Sequence, residues 1–567
     1  MYKFFSFFSR FFAKSKDKNC FEGNHLIDEI KDQPLSSHHG FRALEYDKSV
    51  VKGEDFENSD IKLSNIEGEV IFFRHAQRGN REYFLLPVNF NLDEHLAQYP
   101  PHEHGFPADI EFRKDNAYAF LSLIASIPAR NSDLIDEYGF VPIHMATVKN
   151  NIRDITKYKY YLLNTGVIER IGQYIPNVKS DCYRWADRYA NAPFSCQNVP
   201  CTWTEDITAY ESSPDIPAYP YLFHWYQQNR LIIDPVAEGY AWIEKEQKMQ
   251  DTSRESWSIN RDTGRKKYPV TQYYSAMLNI GKLFAKQYQA HIDDNIHRLH
   301  SVLTNLQKDY RNFITYNGHN LISIDVKNCQ PYLACLILNP LFWDNESDLP
   351  LKFNTLHRNI QDKFPRQILD EIRRFFARNN TSNFQSFITK TSSGSMYEEI
   401  VDVANNRIEN LPTPLTRNDA KTLMFYMLFS SNRGRHDNPV IAQMKHMFEN
   451  ELYPHVAELF RIIKRKDESV NQDKQHNRLS VLLQAIESEI ILHKCCRKIW
   501  DERAHQIPIF TIHDSIVTTA ENAEYVGTVM IQELTDCIGV QPTLALEEWK
   551  TDNLNQSILA DARMRIG

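Results

Sequence analysis

Apolar and polar positions divide the chain into stretches of different character. Residues 21–110 are polar and interrupted, ending in the Pro-rich "YPPHEHGFPADIEF". From 115 to 175 apolar residues recur at helical spacing, as in "NAYAFLSLIASI". Residues 183–242 are dense in aromatics and broken by "ESSPDIPAYP", which predicts a loop or a joint between domains. Helices are then predicted on either side of the basic turn "RDTGRKK". Its Arg265, Lys266 and Lys267 are either simply solvated or a grip on a phosphate backbone.

The C-terminal half is more strongly patterned. "RNFITYNGHNLISID" reads as two strands around Asn317-Gly318, a hairpin signal, and its second strand ends at Asp325. "IPIFTIHDSIVTTAE" is another apolar strand, running into His513-Asp514 and out again. An acid at the end of a buried strand costs several kcal/mol unless it is paired or holds a cation. If both strands join one sheet, Asp325 and Asp514 meet, and Mg²⁺ is the oxygen-seeking ion that would relieve their repulsion. Between them, in "PTPLTRNDAKTLMFYMLFSSN", Thr416 and Asp419 form a capping box that starts a helix at Arg417. Arg417, Lys421, Phe425 and Phe429 then step by four along one face. Two cations near a helix N-terminus stabilise the helix poorly but suit a triphosphate, and an aromatic beyond them suits a base. The plain alternative is an amphipathic helix with cations extended to solvent.

Composition narrows the classes. The chain has 567 residues, 42% hydrophobic and 24% charged, with net charge −8, so it is not a polycation overall. Its nine cysteines lack disulfide-framework spacing and suit a reducing compartment, so a cytoplasmic location is expected. Cys196 and Cys201 form a lone CxxxxC, and His102, His104, Asp109 and Glu111 lie close in sequence; a surface loop accounts for the latter group better than a metal site does. In "MYKFFSFFSRFFAKSK" six Phe fall on one helical face opposite Lys3, Arg10 and Lys14. Residues 1–16 are therefore expected to contact a membrane surface, with an organellar presequence or a frayed tail as alternatives.

These pieces together resemble the polymerase domain of family A DNA polymerases, the DNA polymerase I type, over about residues 290–550. "RLHSVLTNLQ" resembles that family's RLSS…NLQ segment, "SIDVKNCQ" motif A, and RxxxKxxxFxxxF at 417–429 the motif B helix. "LLQAIESEII" resembles the later helix with a template-facing glutamine, "IHDS" motif C, and "PTLALEEW" the last palm strand.

The resemblance implies an α/β (α+β) right-hand fold: an antiparallel-sheet palm, helical fingers and thumb, and a largely helical N-terminal region. The expected divisions are a tail at 1–20, an N-terminal domain at 21–220, thumb-like helices at 221–297, palm at 298–350, fingers at 351–475 and palm again at 476–567. It further implies two Mg²⁺ ions, with Mn²⁺ as a substitute, held by Asp325, Asp514 and the Val326 carbonyl. Arg417 and Lys421 would bind the triphosphate, with Lys421 also donating a proton to pyrophosphate. Phe425 would stack on the incoming nucleotide and Phe429 would lie near the templating base. Arg298, Asn305, Gln307 and Gln484 would follow the primer–template minor groove, and His513 would touch the primer end.

Three positions depart from the pattern. Gln330 stands where the family has the glutamate that excludes a 2′-hydroxyl, Ser515 replaces the acid after the motif C aspartate, and Ser430 replaces a glycine after Phe429. They mark a divergent member of phage or mobile-element character. The expected activity is template-directed DNA polymerisation from dNTPs on a primer–template. The alternatives are use of ribonucleotides or transfer without a template, and a nucleic-acid-binding scaffold without catalysis.

Overall fold

A computed structural model describes residues 81–149, 152–172, 180–200, 215–259, 266–288, 290–408, 411, 413–433, 438–465 and 475–566. The N-terminal segment 1–16, Cys201 and Arg265 lie outside the described residues. Among the described residues no helix is long and apolar enough to cross a membrane.

The N-terminal region is mixed rather than largely helical. Strand β1 (Arg81–Pro87) pairs antiparallel with a partner more than a hundred residues away, Phe194–Pro200, from Arg81 opposite Pro200 to Pro87 opposite Phe194. Between them β2 (Val141–Pro142), β3 (Ile168–Ile171) and β4 (Cys182–Trp185) form a second sheet in the order β2–β4–β3, so Phe194–Pro200 is β5. Helix α1 (Lys114–Arg130) is buried over most of its length, because its apolar residues occupy every face rather than one stripe. The Pro-rich patch holds a 3₁₀ turn at Pro101–His104, which carries His102 and His104.

β6 (Leu231–Ile233) leads into α2 (Val236–Gln250), and α3 (Pro269–Phe284) packs against α1 and α2. A short hairpin, β7 (His291–Ile292) and β8 (Leu299–His300), follows. β9 (Ile314–Tyr316) and β10 (His319–Val326) are joined by Asn317 and Gly318, both left-handed at φ 51° and 82°, as a tight two-residue turn requires. Helix α4 (Cys329–Ile337) leaves β10 after a tight turn at Asn328, whose φ is 53°.

The region expected to form fingers is helical: α5 (Arg366–Arg378), α6 (Gln385–Ser392), α7 (Met396–Arg407) and α8 (Arg417–Phe429). Helix α8 begins where its cap dictates, the Asp419 carboxylate accepting from both the N–H and Oγ of Thr416 at 2.7 Å. At its other end the buried Lys464 donates to the carbonyls of Met427 (2.6 Å) and Ser430 (3.2 Å), capping groups that the helix leaves unpaired.

α9 (Arg478–Ser488) widens into a π-helical stretch, Glu489–Cys496, before a last α-helical segment, Arg497–Glu502. β11 (Phe510–Ile512), β12 (Ser515–Thr519) and β13 (Leu544–Glu548) complete a six-stranded antiparallel sheet, β11–β12–β10–β9–β6, with β13 also paired to β10. The C-terminal α10 (Gln556–Ile566) lies across α2 at Gly239, where a side chain would meet the Ala562 carbonyl at 3.1 Å.

Candidate active site

The sheet register brings the two acids together. Asp325 on β10 lies opposite Ser515 on β12 and Ala545 on β13. Asp514 precedes Ser515 in the two-residue turn from β11 to β12, where His513 is left-handed at φ 54°. Ser515 is spent on the turn itself, its Oγ donating to the Ile512 carbonyl at 2.9 Å. Both acids are raised above the ordinary carboxylate range, chiefly by burial. The Asp514 charge adds to the effect at Asp325, and the Glu487 charge adds to that at Asp514. Lys308 and Lys421 oppose the rise at Asp325. Oxygen donors crowded in a half-buried place, each resisting ionisation beside the others, suit a hard divalent cation. Asp325, Asp514 and the adjacent Val326 carbonyl are the atoms that could hold one. Among the described residues no group of three or more His, Cys, Asp or Glu side chains forms a metal cage.

Glu487 is the residue that the sequence reading passed over. It is 2% exposed on α9, and one guanidinium nitrogen of Arg298 lies 2.6 Å from each of its carboxylate oxygens. Gln330 donates to it through Nε2, also at 2.6 Å. Arg298 and Gln330, expected at a minor groove and at a sugar, are thus both engaged with one buried acid. Glu487 lies three residues beyond Gln484, hence on the same helical face, and an acid inside "LLQAIESEII" was the available signal.

A left-handed loop sets Arg298 in position: the Asp293 carboxylate accepts from the backbone N–H groups of Asn295, Ile296 and Arg298 at 2.8 to 3.0 Å. Crowding by the surrounding protein and the nearby Arg298 and Arg311 guanidinium groups lower the pKa of His513, so the ring is neutral at physiological pH although it is exposed at the surface.

The expected nucleotide face of α8 is partly engaged as well. Arg417 Nε donates to Glu398 at 2.8 Å, and its guanidinium lies 4.9 Å from the Tyr397 ring centroid. Burial raises the Tyr397 hydroxyl to about 12, with Asp514 adding to the effect, so this ring is near enough to feel the acid site as well as Arg417. Nothing in the sequence pattern singles it out. Lys421 is close enough to Asp325 to lower its pKa. Phe425 and Phe429 stack on each other at 4.5 Å, and Phe425 is 38% exposed.

Of the remaining expected residues, Gln307 donates to the Gln272 carbonyl at 2.8 Å, Asn305 is exposed at the end of a short helix, and Gln484 is half-buried. Glu547, on β13, pairs with Lys308 at 2.8 Å and adds negative charge at Asp325. Asn328 is buried, and neither of its amide atoms has a partner among the described residues.

No family model matches the chain, and no curated protein matches it. Among solved structures the chain is similar to the POL domain of Pol1 from M. smegmatis in complex with DNA primer-template and dNTP. That similarity is at 12% identity with a TM-score of 0.29, over 59% of this chain and 66% of that one, just under two thirds of its length.

Proposed function

We propose that this chain catalyses template-directed nucleotidyl transfer, as a DNA polymerase of the DNA polymerase I type acting on a primer–template with dNTPs. The observation that carries the reading is the meeting of Asp325 on β10 with Asp514 in the adjoining β11–β12 turn, each raised above the usual carboxylate range, with Lys421 of α8 near Asp325. Such a pair gains little for folding and is suited to a cation-dependent phosphoryl transfer.

Asp325, Asp514 and the Val326 carbonyl would hold two Mg²⁺ ions, with Mn²⁺ as a substitute. When bound, the ions would lower the pKa of a primer 3′-hydroxyl and neutralise charge developing on the leaving group. Arg417 would exchange its exposed pairing with Glu398 for the triphosphate, a cheap exchange because a surface ion pair contributes about 0–1 kcal/mol. Lys421 would bind the same group and supply a proton to pyrophosphate. Phe425 would stack on the incoming nucleotide after parting from Phe429, which would lie near the templating base. His513, neutral, would accept or donate one hydrogen bond at the primer end. Asn305, Gln307 and Gln484 would contact the primer–template, and Arg298 would do so only by loosening its hold on Glu487.

A second reading, transfer of ribonucleotides, is favoured by the Gln330–Glu487 hydrogen bond. It commits an uncharged side chain to Glu487 at the position that the family uses against a 2′-hydroxyl. Extension of a labelled primer with Mg²⁺, using dNTPs and NTPs in parallel, tests both readings. Template-matched extension that disappears in Asp325→Ala and Asp514→Ala is expected. Extension surviving in either variant, or none in any lane, overturns the proposal.

A further inference from the structure

We infer that the outer face of α5 and the loop and helix that follow it form a binding track for a single-stranded nucleic acid leading to Asp325 and Asp514. The inference rests on the nucleotidyl-transfer reading. It extends that reading to a surface outside the acid site.

The track begins as a charge pattern. From Glu371 to Glu398 the chain has no acidic residue between them and four basic ones, Arg373, Arg374, Arg378 and Lys390, in a protein of net charge −8. Helix α5 buries Ile368, Ile372 and Phe375 on its inner side, which leaves Arg366, Arg373, Arg374 and Arg378 exposed on the outer one. Arg374 and Arg378 are one helical turn apart, about 6 Å along the axis. Each donates its Nε to the carbonyl four residues earlier at 3.2 Å, which steadies the side-chain stem without neutralising the charge. Arg373 pairs with Asp370 at 2.9 Å and Arg378 with Glu458 at 3.9 Å, both at the surface. Exposed pairs of this kind contribute little, so a phosphate can replace the carboxylate at small cost.

Beyond α5 the exposed side chains are neutral hydrogen-bonding groups, Asn380, Ser382, Asn383 and Gln385 among them. Amides and hydroxyls of this kind contact phosphate and sugar without repelling them. The segment then reaches the acid site. Ser392 accepts from Thr543 Oγ1 at 2.8 Å, and Gly394, left-handed at φ 77°, lies so close to Lys327 that a side chain there would meet Lys327 Cδ at 3.2 Å. Three residues later Tyr397 lies beside Arg417. One continuous, acid-free segment thus connects an outer cationic ridge to the turn after Asp325. A ridge one helix wide, ending where a strand would have to be read unpaired, fits a single strand better than a duplex.

The test compares three full-length proteins: wild type, Arg374→Glu/Arg378→Glu, and Arg563→Glu/Arg565→Glu, which makes the same charge change on the exposed face of α10. The probe is a fluorescein-labelled oligo-dT 20-mer, followed by anisotropy without divalent metal. Only the first variant is expected to bind at least about tenfold more weakly at low salt. Its log K against log salt should be shallower by roughly 1.4, the value for two lost single-strand phosphate contacts. In primer extension the same variant should be slowed on a twenty-nucleotide template overhang and not on a two-nucleotide one. Equal weakening in both variants, equal affinity of all three proteins, or no binding by the wild type overturns the track. If no protein extends a primer yet only Arg374→Glu/Arg378→Glu loses the oligonucleotide, the track stands and the polymerase reading falls. Template-matched extension with undiminished oligonucleotide binding overturns the track alone.

Discussion

Asp115, near the start of α1, is 3% exposed, with Arg113 at 3.2 Å and the Asn116 backbone N–H at 2.9 Å. Asp325 and Asp514, half-buried at one end of the central sheet, have each other as neighbours, and Glu487 and Glu547 add charge of the same sign. The N-terminal region thus buries an acid by giving it a cation and a backbone donor. The acid site gathers like charges, and there one Arg298 nitrogen lies 2.6 Å from both carboxylate oxygens of Glu487 rather than beside Asp325 or Asp514. Polar atoms buried without partners occur in both regions: Nε of Arg113 and Oδ1 of Asp181 in the first, and both amide atoms of Asn328, Oε1 of Gln330 and Nε of Arg298 in the second. Folding alone favours the first arrangement. The second is what a site pays when its groups are kept for something that binds later.

The largest effect that would break this contrast is catalytic. Asp325→Asn and Asp514→Asn should each lower primer extension by on the order of 10³ or more, measured as single-turnover rate with Mg²⁺. A residual rate near wild type would mean that the acids are structural after all.

Next is Glu487→Ala, which leaves Arg298 buried without its partner and should cost about 3–5 kcal/mol in urea unfolding. A loss below about 1 kcal/mol would show that the contact is easily replaced by water.

The N-terminal region offers a pH contrast. His95, 5% exposed and hydrogen-bonded to Thr165 at 2.9 Å, is lowered to about 4 by burial and by nearby Arg188. Its folded pKa lies below the unfolded value near 6.5, so the unfolded chain binds the extra proton. Stability should therefore be full above about pH 7.5 and fall by about 3 kcal/mol as pH drops towards 4. In His95→Gln the Tm between pH 7 and 4 should lose that component; an unchanged slope would exonerate His95.

The smallest effect has the opposite sign to most mutations. In metal-free buffer Asp514→Asn should raise stability by about 1 kcal/mol, because it removes a repelling charge from a buried cluster. Asp115→Asn should lower it. A fall in both would erase the distinction between the two regions.

What could be read from the sequence was what neighbouring residues decide. The Asn317-Gly318 turn, the Thr416–Asp419 cap and the apolar strand carrying Asp325 each depend on a few adjacent residues, and each forms, the strand running one residue past Asp325 to Val326. Partnerships across the chain were not legible. Arg298 and Gln330 meet Glu487 from 189 and 157 residues away, and Arg417 lies over a ring from a different helix. The same limit applies to β1 and β5, whose pairing gives the N-terminal region its sheet character. A short strand whose partner lies more than a hundred residues off has no local signal to set it apart from a loop.

The π-helical stretch at Glu489–Cys496 gives the chain a place to change length. In an α-helix one inserted residue turns everything beyond it by about 100°. Here Glu487 must face Arg298 at one end of the stretch, while His493 within it must meet the Tyr221 hydroxyl at 2.8 Å. A wider winding fits more residues per turn between those two fixed contacts. Removing one residue from 489–496 could let the stretch tighten to α-helix with both contacts kept, whereas removing one from α9 would swing Glu487 or Gln484 off its face. A tally of tolerated single-residue deletions along 478–502 should therefore peak inside the wide turns.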